Sequence, residues 1–266
     1  MKWIRYVDPK GSEQFGLRSD EGDFLVEGQP FGEWKATNTP ASIARLLAPV
    51  QPTAIYCIGL NYRRHAEETG AELPKYPVLF MKGPNTVQNP GEPILLPRHM
   101  RSDKIDYECE LAVVIGKKAK NVSKETALEH VLGYTCANDV SARDWQKHAG
   151  GGQWCRGKSF DTFCPLGPCL VTPEEIPDPQ NLRLRTIVNG ETLQDWSTTD
   201  MIFSVAEIIA FLSGSSTLLP GTVILTGTPH GVGMAANPPR WLLPGDEVSI
   251  EIEKIGTLTN PVNEEI

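Results

Sequence analysis

No stretch of this chain approaches the roughly 20 consecutive apolar residues that a membrane-crossing helix needs. Residues 1–10 hold no apolar run of the kind a secretory leader carries, so no signal peptide is expected there. Basic clusters are scarce. Lys117-Lys118-Ala119-Lys120 is the one group, and 33 acidic against 25 basic side chains give a net charge of −8. That excess disfavours nucleic acids and anionic membranes as partners. Cysteines at Cys-x-x-Cys spacing are also missing. The six present (Cys57, Cys109, Cys136, Cys155, Cys164, Cys169) suit neither a zinc knuckle nor a redox pair. They read as reduced thiols, mostly buried, in a cytoplasmic protein. Neither a P-loop nor a Rossmann fingerprint occurs, so no nucleotide site is expected.

What is present is ordinary globular composition over 266 residues, enough for one large domain or one plus a small one. Residues 105–116 are the most informative stretch. Leu111-Ala112-Val113-Val114-Ile115 is an apolar run of strand length closed by Gly116, and Asp106, Glu108 and Glu110 precede it at period two. Side chains at i, i+2 and i+4 share one face of a strand, so three carboxylates are expected side by side at the mouth of a buried strand. Such a face either looks into water, guarding a strand edge, or carries a hard divalent cation.

The rest of the chain reads as mixed α/β and rich in strands. Residues 1–52 form a small β-rich segment, with a helix expected from Ser42 to Ala48; residues 53–262 form the main domain. Within the main domain, Ile55–Ile58 and Pro77–Lys82 read as strands. Between them Asn61 can cap, and Gly70 end, a short helix that places His65 and Glu68 on one face. A carboxylate beside an imidazole suits a general base, and equally an exposed surface pair. Gly133–Val140 reads as a strand that brings Asp139 to its end, and Ser141–Lys147 as a helix with Arg143 and Gln146 on one face. Gly150, Gly151 and Gly152 can hinge a lid or form a plain loop. Lys158 can clamp a carboxylate or an oxyanion. Asn189-Gly190 predicts a type I′ hairpin turn, and Ser204 caps a helix to Leu212. Leu218–Ile224 and Leu242–Val248 each launch a strand from a Pro-Gly turn and are expected in one β-structure. Between them, Thr226–Gly233 is a glycine-rich loop whose amides can face an anion, with Gly227 and Thr228 at its start. His230, in the same loop, reads equally as a loop residue or a ligand.

Seven fragments in order, IGLNYRRHAEE, PVLFMKGPNTV, DYECELAVVIGK, GYTCANDVSARDWQ, GKSFDTFCPLGP, MIFS and LTGTPHGVG, resemble the fumarylacetoacetate hydrolase family in its shorter, single-catalytic-domain branch. The resemblance runs from about Ile55 to Glu253. It implies a β-rich roll of mixed sheets with peripheral helices, usually a homodimer. It also implies a divalent cation (Mg or Mn, sometimes Ca) on Glu108, Glu110 and Asp139, and it demotes Asp106. His65 and Glu68 match the catalytic pair, Lys158 the oxyanion-side lysine, and Arg143, Gln146 and Thr228 substrate contacts. The stretch 148–154 matches the lid.

These residues predict chemistry on a small anionic 2-oxo acid. The leading expectation is hydrolysis of a C–C bond in an acylpyruvate, with His65 activating water and with Lys158 and the 227–228 backbone taking developing negative charge. The alternative keeps the site and changes the reaction to oxaloacetate tautomerisation or decarboxylation, or isomerisation of a hydroxymuconate-type diacid. A metal-stabilised binding protein is the non-enzymatic reading.

Overall fold

A computed structural model describes residues 1–149 and 151–266. Most of the strands enter two sheets. The larger runs, in spatial order, through Trp34–Pro40, Gly22–Gly28, Glu13–Ser19, Lys2–Val7, Cys164–Val171, Val131–Asn138, Cys109–Ile115, Thr222–Leu225, Ala54–Gly59 and Val78–Lys82. Arg45–Leu47 and Val87–Gln88 attach beside this path. The N-terminal strands therefore extend the main sheet, with Lys2 paired to Val171 and Trp3 to Leu170. A five-stranded sheet packs across it, in the order Glu191–Ser197, Arg183–Val188, Glu247–Ile252, Gly256–Glu264, Ile94–Leu96.

The apolar run read from the sequence becomes the central strand Cys109–Ile115, buried at every position. Its alternating side chains feed two cores. Leu111, Val113 and Ile115 pack with Leu184, Ile250 and Leu258 of the second sheet. Ala112 and Val114 pack with Cys57, Phe80, Ala137, Leu166 and Leu225 inside the curl of the first. Val87–Gln88, just beyond Lys82, pairs with Cys164–Pro165, so the curled sheet makes a roll without closing into a barrel.

Several local expectations hold. Asn189 (φ 51°) and Gly190 (φ 83°) make the hairpin turn, where both central residues need positive φ. Ser204 caps the helix Val205–Ser213 through a reciprocal box with Glu207. Gly70 ends the helix Arg63–Thr69 in the left-handed conformation. Five cysteines are buried, Cys155 is exposed, and all six are free thiols. No described helix is long and apolar enough to cross a membrane.

Others do not. The segment expected as a helix from Ser42 contains the strand Arg45–Leu47, because edge pairing to Arg5–Val7 overrides weak helical propensity. Asn61 does not cap the following helix; Tyr62 occupies that position without a side-chain bond. Ser141–Ala142 pairs with Ile105–Asp106 instead of starting a helix, and the next turn, Trp145–Ala149, is π-helical. The two Pro-Gly strands lie in different sheets, Thr222–Leu225 in the larger and Glu247–Ile252 in the smaller. Their likeness is one of turn chemistry only.

Candidate active site

Antiparallel pairing of Cys109 with Asn138 places Glu108 and Asp139 side by side at the open end of the roll. The Asp139 amide donates to the Glu108 carbonyl (2.9 Å), and the Glu108 amide donates to Asn138 Oδ1 (3.0 Å). Glu110 shares strand parity with Glu108. Glu108, Glu110 and Asp139 each offer an oxygen within 4.8 Å of the others, and all three are buried. A solvated acidic edge is thereby ruled out. Asp106 leaves this group because Tyr107 and Glu108 drop out of the strand ladder. Its carboxylate instead accepts the amides of Tyr107 (2.9 Å), Gly233 (2.7 Å) and Met234 (3.0 Å) and the Arg143 Nε–H (2.8 Å).

The neighbouring cations divide these carboxylates unevenly. Lys158 Nζ bridges Glu108 Oε2 and Asp139 Oδ2, at 2.7 Å from each. Arg143 Nη2 lies 2.6 Å from Glu108 Oε1. Burial pushes the Glu108 carboxyl up, but Lys158 and Arg143 outweigh it and hold the group well below the usual carboxylate range. Burial lowers Lys158, yet Asp139 and Glu108 more than compensate and keep the ammonium charged. Glu110 has no cation within ion-pair distance among the described residues. Its one donor is the Gly227 amide (2.6 Å). Burial, then Asp139 and Glu108, push its carboxyl well above the ordinary range.

His65 Nδ1 and Glu68 Oε1 lie 2.7 Å apart on the short helix. A carboxylate on Nδ1 selects the Nδ1–H tautomer and leaves Nε2 as the basic nitrogen. Glu68 is itself fixed by the Gly231 amide, 2.9 Å from Oε2. Gly231 has φ +94°, and a Cβ there would sit 2.3 Å from the Leu193 carbonyl, so only glycine brings that amide to Glu68.

A cavity of about 240 Å³ joins these groups. Its polar lining includes His65, Thr69, Glu108, Glu110, Arg143, Gln146, Lys147, Lys158 and Thr228; Ile58, Leu60, Phe80, Trp154 and Met234 supply apolar walls. Arg143 Nη1 bonds Gln146 Oε1 (3.0 Å), which leaves the Gln146 amide nitrogen as a donor. The Gly227 amide is not available to an oxyanion, because Glu110 takes it. Glycine is nonetheless required there: φ is +99° and a Cβ would fall 2.7 Å from Asn61 Cβ. Thr228 Oγ1 accepts from Gln194 Nε2 (2.9 Å), so its own proton is free to donate. Gly151 and Gly152 form an exposed turn away from the cavity lining, and Trp154 is the residue of the lid stretch that reaches it; Gly150 lies outside the described residues. His230 packs edge-on against Trp196 (centroids 4.9 Å apart) and belongs to no group of metal-binding spacing among the described residues.

The donor set fits a hard divalent cation. It offers three carboxylate oxygens, no sulfur or imidazole, and a buried Glu110 carboxyl that no protein cation neutralises.

Three side chains make contacts here that the sequence did not indicate, Asn61 among them, read there only as a helix cap. Lys82, at the end of the edge strand Val78–Lys82, donates to Asp139 Oδ1 (2.5 Å) and the Val140 carbonyl (3.1 Å) across the curl of the sheet. Asn61 ties the start of the His65 helix to the glycine-rich 226–233 loop by donating to the Thr226 (2.8 Å) carbonyl, and to the Phe203 (3.0 Å) carbonyl. Gln194 links the Cys109 amide to Thr228.

Residues 54–263 match the family described as fumarylacetoacetate (FAA) hydrolase C-terminal. The chain belongs to the fumarylacetoacetate hydrolase family. Residues 1–49 match a second family, described as Rv2993c-like, N-terminal. Among relatives of this family member, the oxaloacetate tautomerase fahd2, mitochondrial, of Xenopus laevis is 50% identical over 218 residues, 82% of this chain and 68% of that protein. The human oxaloacetate tautomerase FAHD2A, mitochondrial, is 47% identical over 224 residues, 84% of this chain and 71% of that protein. The structure of 5-carboxymethyl-2-hydroxymuconate delta-isomerase from Mycobacterium smegmatis superposes with a TM-score of 0.87 at 40% identity, over the whole of both chains. Relatives named as tautomerases and isomerases favour the alternative expectation over C–C hydrolysis.

Proposed function

We propose that this protein is a divalent-cation-dependent tautomerase of small 2-oxo acids, with keto–enol interconversion of oxaloacetate as its reaction. The observation that carries the reading is that His65, Glu108 and Glu110 line one small cavity, with Glu68 bonded behind His65 and Asp139 within reach of the two glutamates.

Tautomerisation moves one proton between carbon and oxygen, so it needs a single base that can also act as an acid. His65 Nε2 takes the proton from the carbon next to the ketone; the C–H electron pair forms the carbon–carbon double bond, and the C=O π pair moves onto the ketone oxygen. The imidazolium, stabilised by Glu68, then returns the proton to that oxygen. Arg143, Gln146 and the Thr228 hydroxyl orient the substrate's carboxylate and carbonyl within the cavity. A divalent cation held by Glu108, Glu110 and Asp139 would supply Lewis acidity toward the oxygens of the 2-oxo acid, lowering the cost of charge there. Lys158, whose ammonium carries three donors and lines the cavity, would place positive charge beside the substrate oxygens.

The test follows the enol absorbance of oxaloacetate with Mg or Mn, against the metal alone and against an acylpyruvate panel. Enol loss faster than the metal-only background, abolished by chelator, is expected. Pyruvate release from an acylpyruvate without oxaloacetate tautomerisation would reverse the assignment in favour of hydrolysis.

A further inference from the structure

We infer that Lys147 is a specificity-determining residue that reads the second carboxylate of a dicarboxylic 2-oxo acid at the cavity mouth. The inference deepens the reading above and rests on it. Arg143, Gln146 and Lys147 are spaced i, i+3 and i+4 along one helical segment, and all three line the cavity. The segment becomes π-helical at Trp145, a distortion frequently found at functional sites. Arg143 and Gln146 are buried, whereas Lys147 is exposed, so the three mark a line from the closed end toward the mouth.

Charge decides what Lys147 is for. At the closed end stand four carboxylates, Asp106, Glu108, Glu110 and Asp139, with three cations, Lys82, Arg143 and Lys158, each already paired to one or more of them. A divalent ion on that set leaves one positive charge, which a single substrate carboxylate neutralises. A second carboxylate then finds no cation at the closed end and meets apolar walls beyond it, including Phe80 and Trp154. Lys147 is the one cation lining the cavity that makes no ion pair among the described residues. Placed against low-dielectric walls, its charge favours a substrate with an anionic far end and disfavours none with a neutral one.

Oxaloacetate and 2-oxobutanoate share the chelating end and differ in a carboxylate against a methyl group at the other. Calorimetric titration of both into the Mg-loaded protein compares them without requiring turnover. The wild type is expected to prefer the diacid. Lys147→Met reduces that preference roughly fivefold by weakening the diacid, leaves 2-oxobutanoate affinity unchanged, and Lys147→Arg restores the preference. In turnover, Lys147→Met raises the KM for oxaloacetate with kcat held. Added salt erodes the wild-type preference and has no such effect on Lys147→Met. An undiminished diacid preference in Lys147→Met, or equal weakening of both ligands, overturns the inference. A Lys147-dependent preference in a protein that does not tautomerise oxaloacetate upholds the inference and overturns the assigned reaction alone.

Discussion

Lys82 Nζ lies 2.5 Å from Asp139 Oδ1, with both side chains sealed from solvent. Lys158 holds the other oxygen of the same carboxylate at 2.7 Å. Asp139 is thus gripped from two sides: one lysine comes from the edge of the curled sheet, the other from the short helix Trp154–Lys158. Lys158 also holds Glu108 Oε2, so it ties two of the three clustered carboxylates together, whereas Lys82 holds Asp139 alone among them.

Lys82→Met removes one partner of a buried pair and leaves the Val140 carbonyl without its donor. A loss of about 3 kcal/mol is expected, measured as a shift in denaturant midpoint at constant slope. A shift equivalent to under about 1 kcal/mol would mean that Lys158 alone suffices to hold Asp139.

Glu110→Gln separates cation binding from folding. A glutamine oxygen still accepts the Gly227 amide, and the carboxyl it replaces is already pushed toward its neutral form by burial and by Asp139 and Glu108. The apo variant should therefore unfold no earlier than the parent on heating. Its Mg- or Mn-induced rise in Tm should largely vanish, because stabilisation by a ligand scales with its affinity for the folded state. A full metal-induced rise in this variant would remove Glu110 from the ligand set.

Much of this site was legible from the chain alone, for physical reasons that differ by residue. Glu108 and Glu110 are two apart before an apolar run, and strand periodicity alone puts them on one face. Asp139 ends a strand-like run, and strand ends are where a neighbour's side chain arrives. His65 and Glu68 are one helical turn apart, so their contact is local. Periodicity misplaced Asp106 because it assumed an unbroken strand, whereas Tyr107 and Glu108 leave the ladder and turn Asp106 toward Arg143. Lys82 was invisible. It lies 57 residues from Asp139 and meets it only through the curl of the sheet, a long-range contact that no local pattern announces. The two Pro-Gly strands failed the other way, since a shared turn motif says how a strand begins and nothing about which sheet it joins.

His65 and Glu68 should separate chemistry from cation binding. His65→Asn removes the base and is expected to lower kcat about 10²- to 10⁴-fold. Glu68→Gln keeps an acceptor for Nδ1 and for the Gly231 amide but loses the charge that stabilises the imidazolium, so a smaller loss, about 10- to 100-fold, is expected. Calorimetric affinity for Mg or Mn should stay within about twofold in both variants, since neither side chain is among the carboxylate ligands. Loss of cation binding in His65→Asn would place the imidazole on the metal instead.

The pH dependence of stability should carry opposite marks from two neighbouring glutamates. Glu108 is held below its unfolded value, so the stability it contributes is complete above an unfolded pKa of about 4.3 and fades as pH falls toward its folded value. Glu110 is raised, so its contribution is complete below about 4.3 and is lost as pH climbs through its folded value. Near neutrality the apo protein therefore keeps the Glu108 contribution and has lost ground at Glu110, and a divalent cation repairs the second by stabilising the ionised carboxyl. The rise in Tm on adding Mg should accordingly grow from pH 5.5 to pH 8, and cation binding in that range should release protons, read as a dependence of calorimetric heat on the buffer's ionisation enthalpy. Glu110→Gln should flatten both trends. A metal-induced rise that is constant with pH in the parent protein would show that Glu110 is already ionised in the apo state, and would move the uncompensated charge elsewhere in the site.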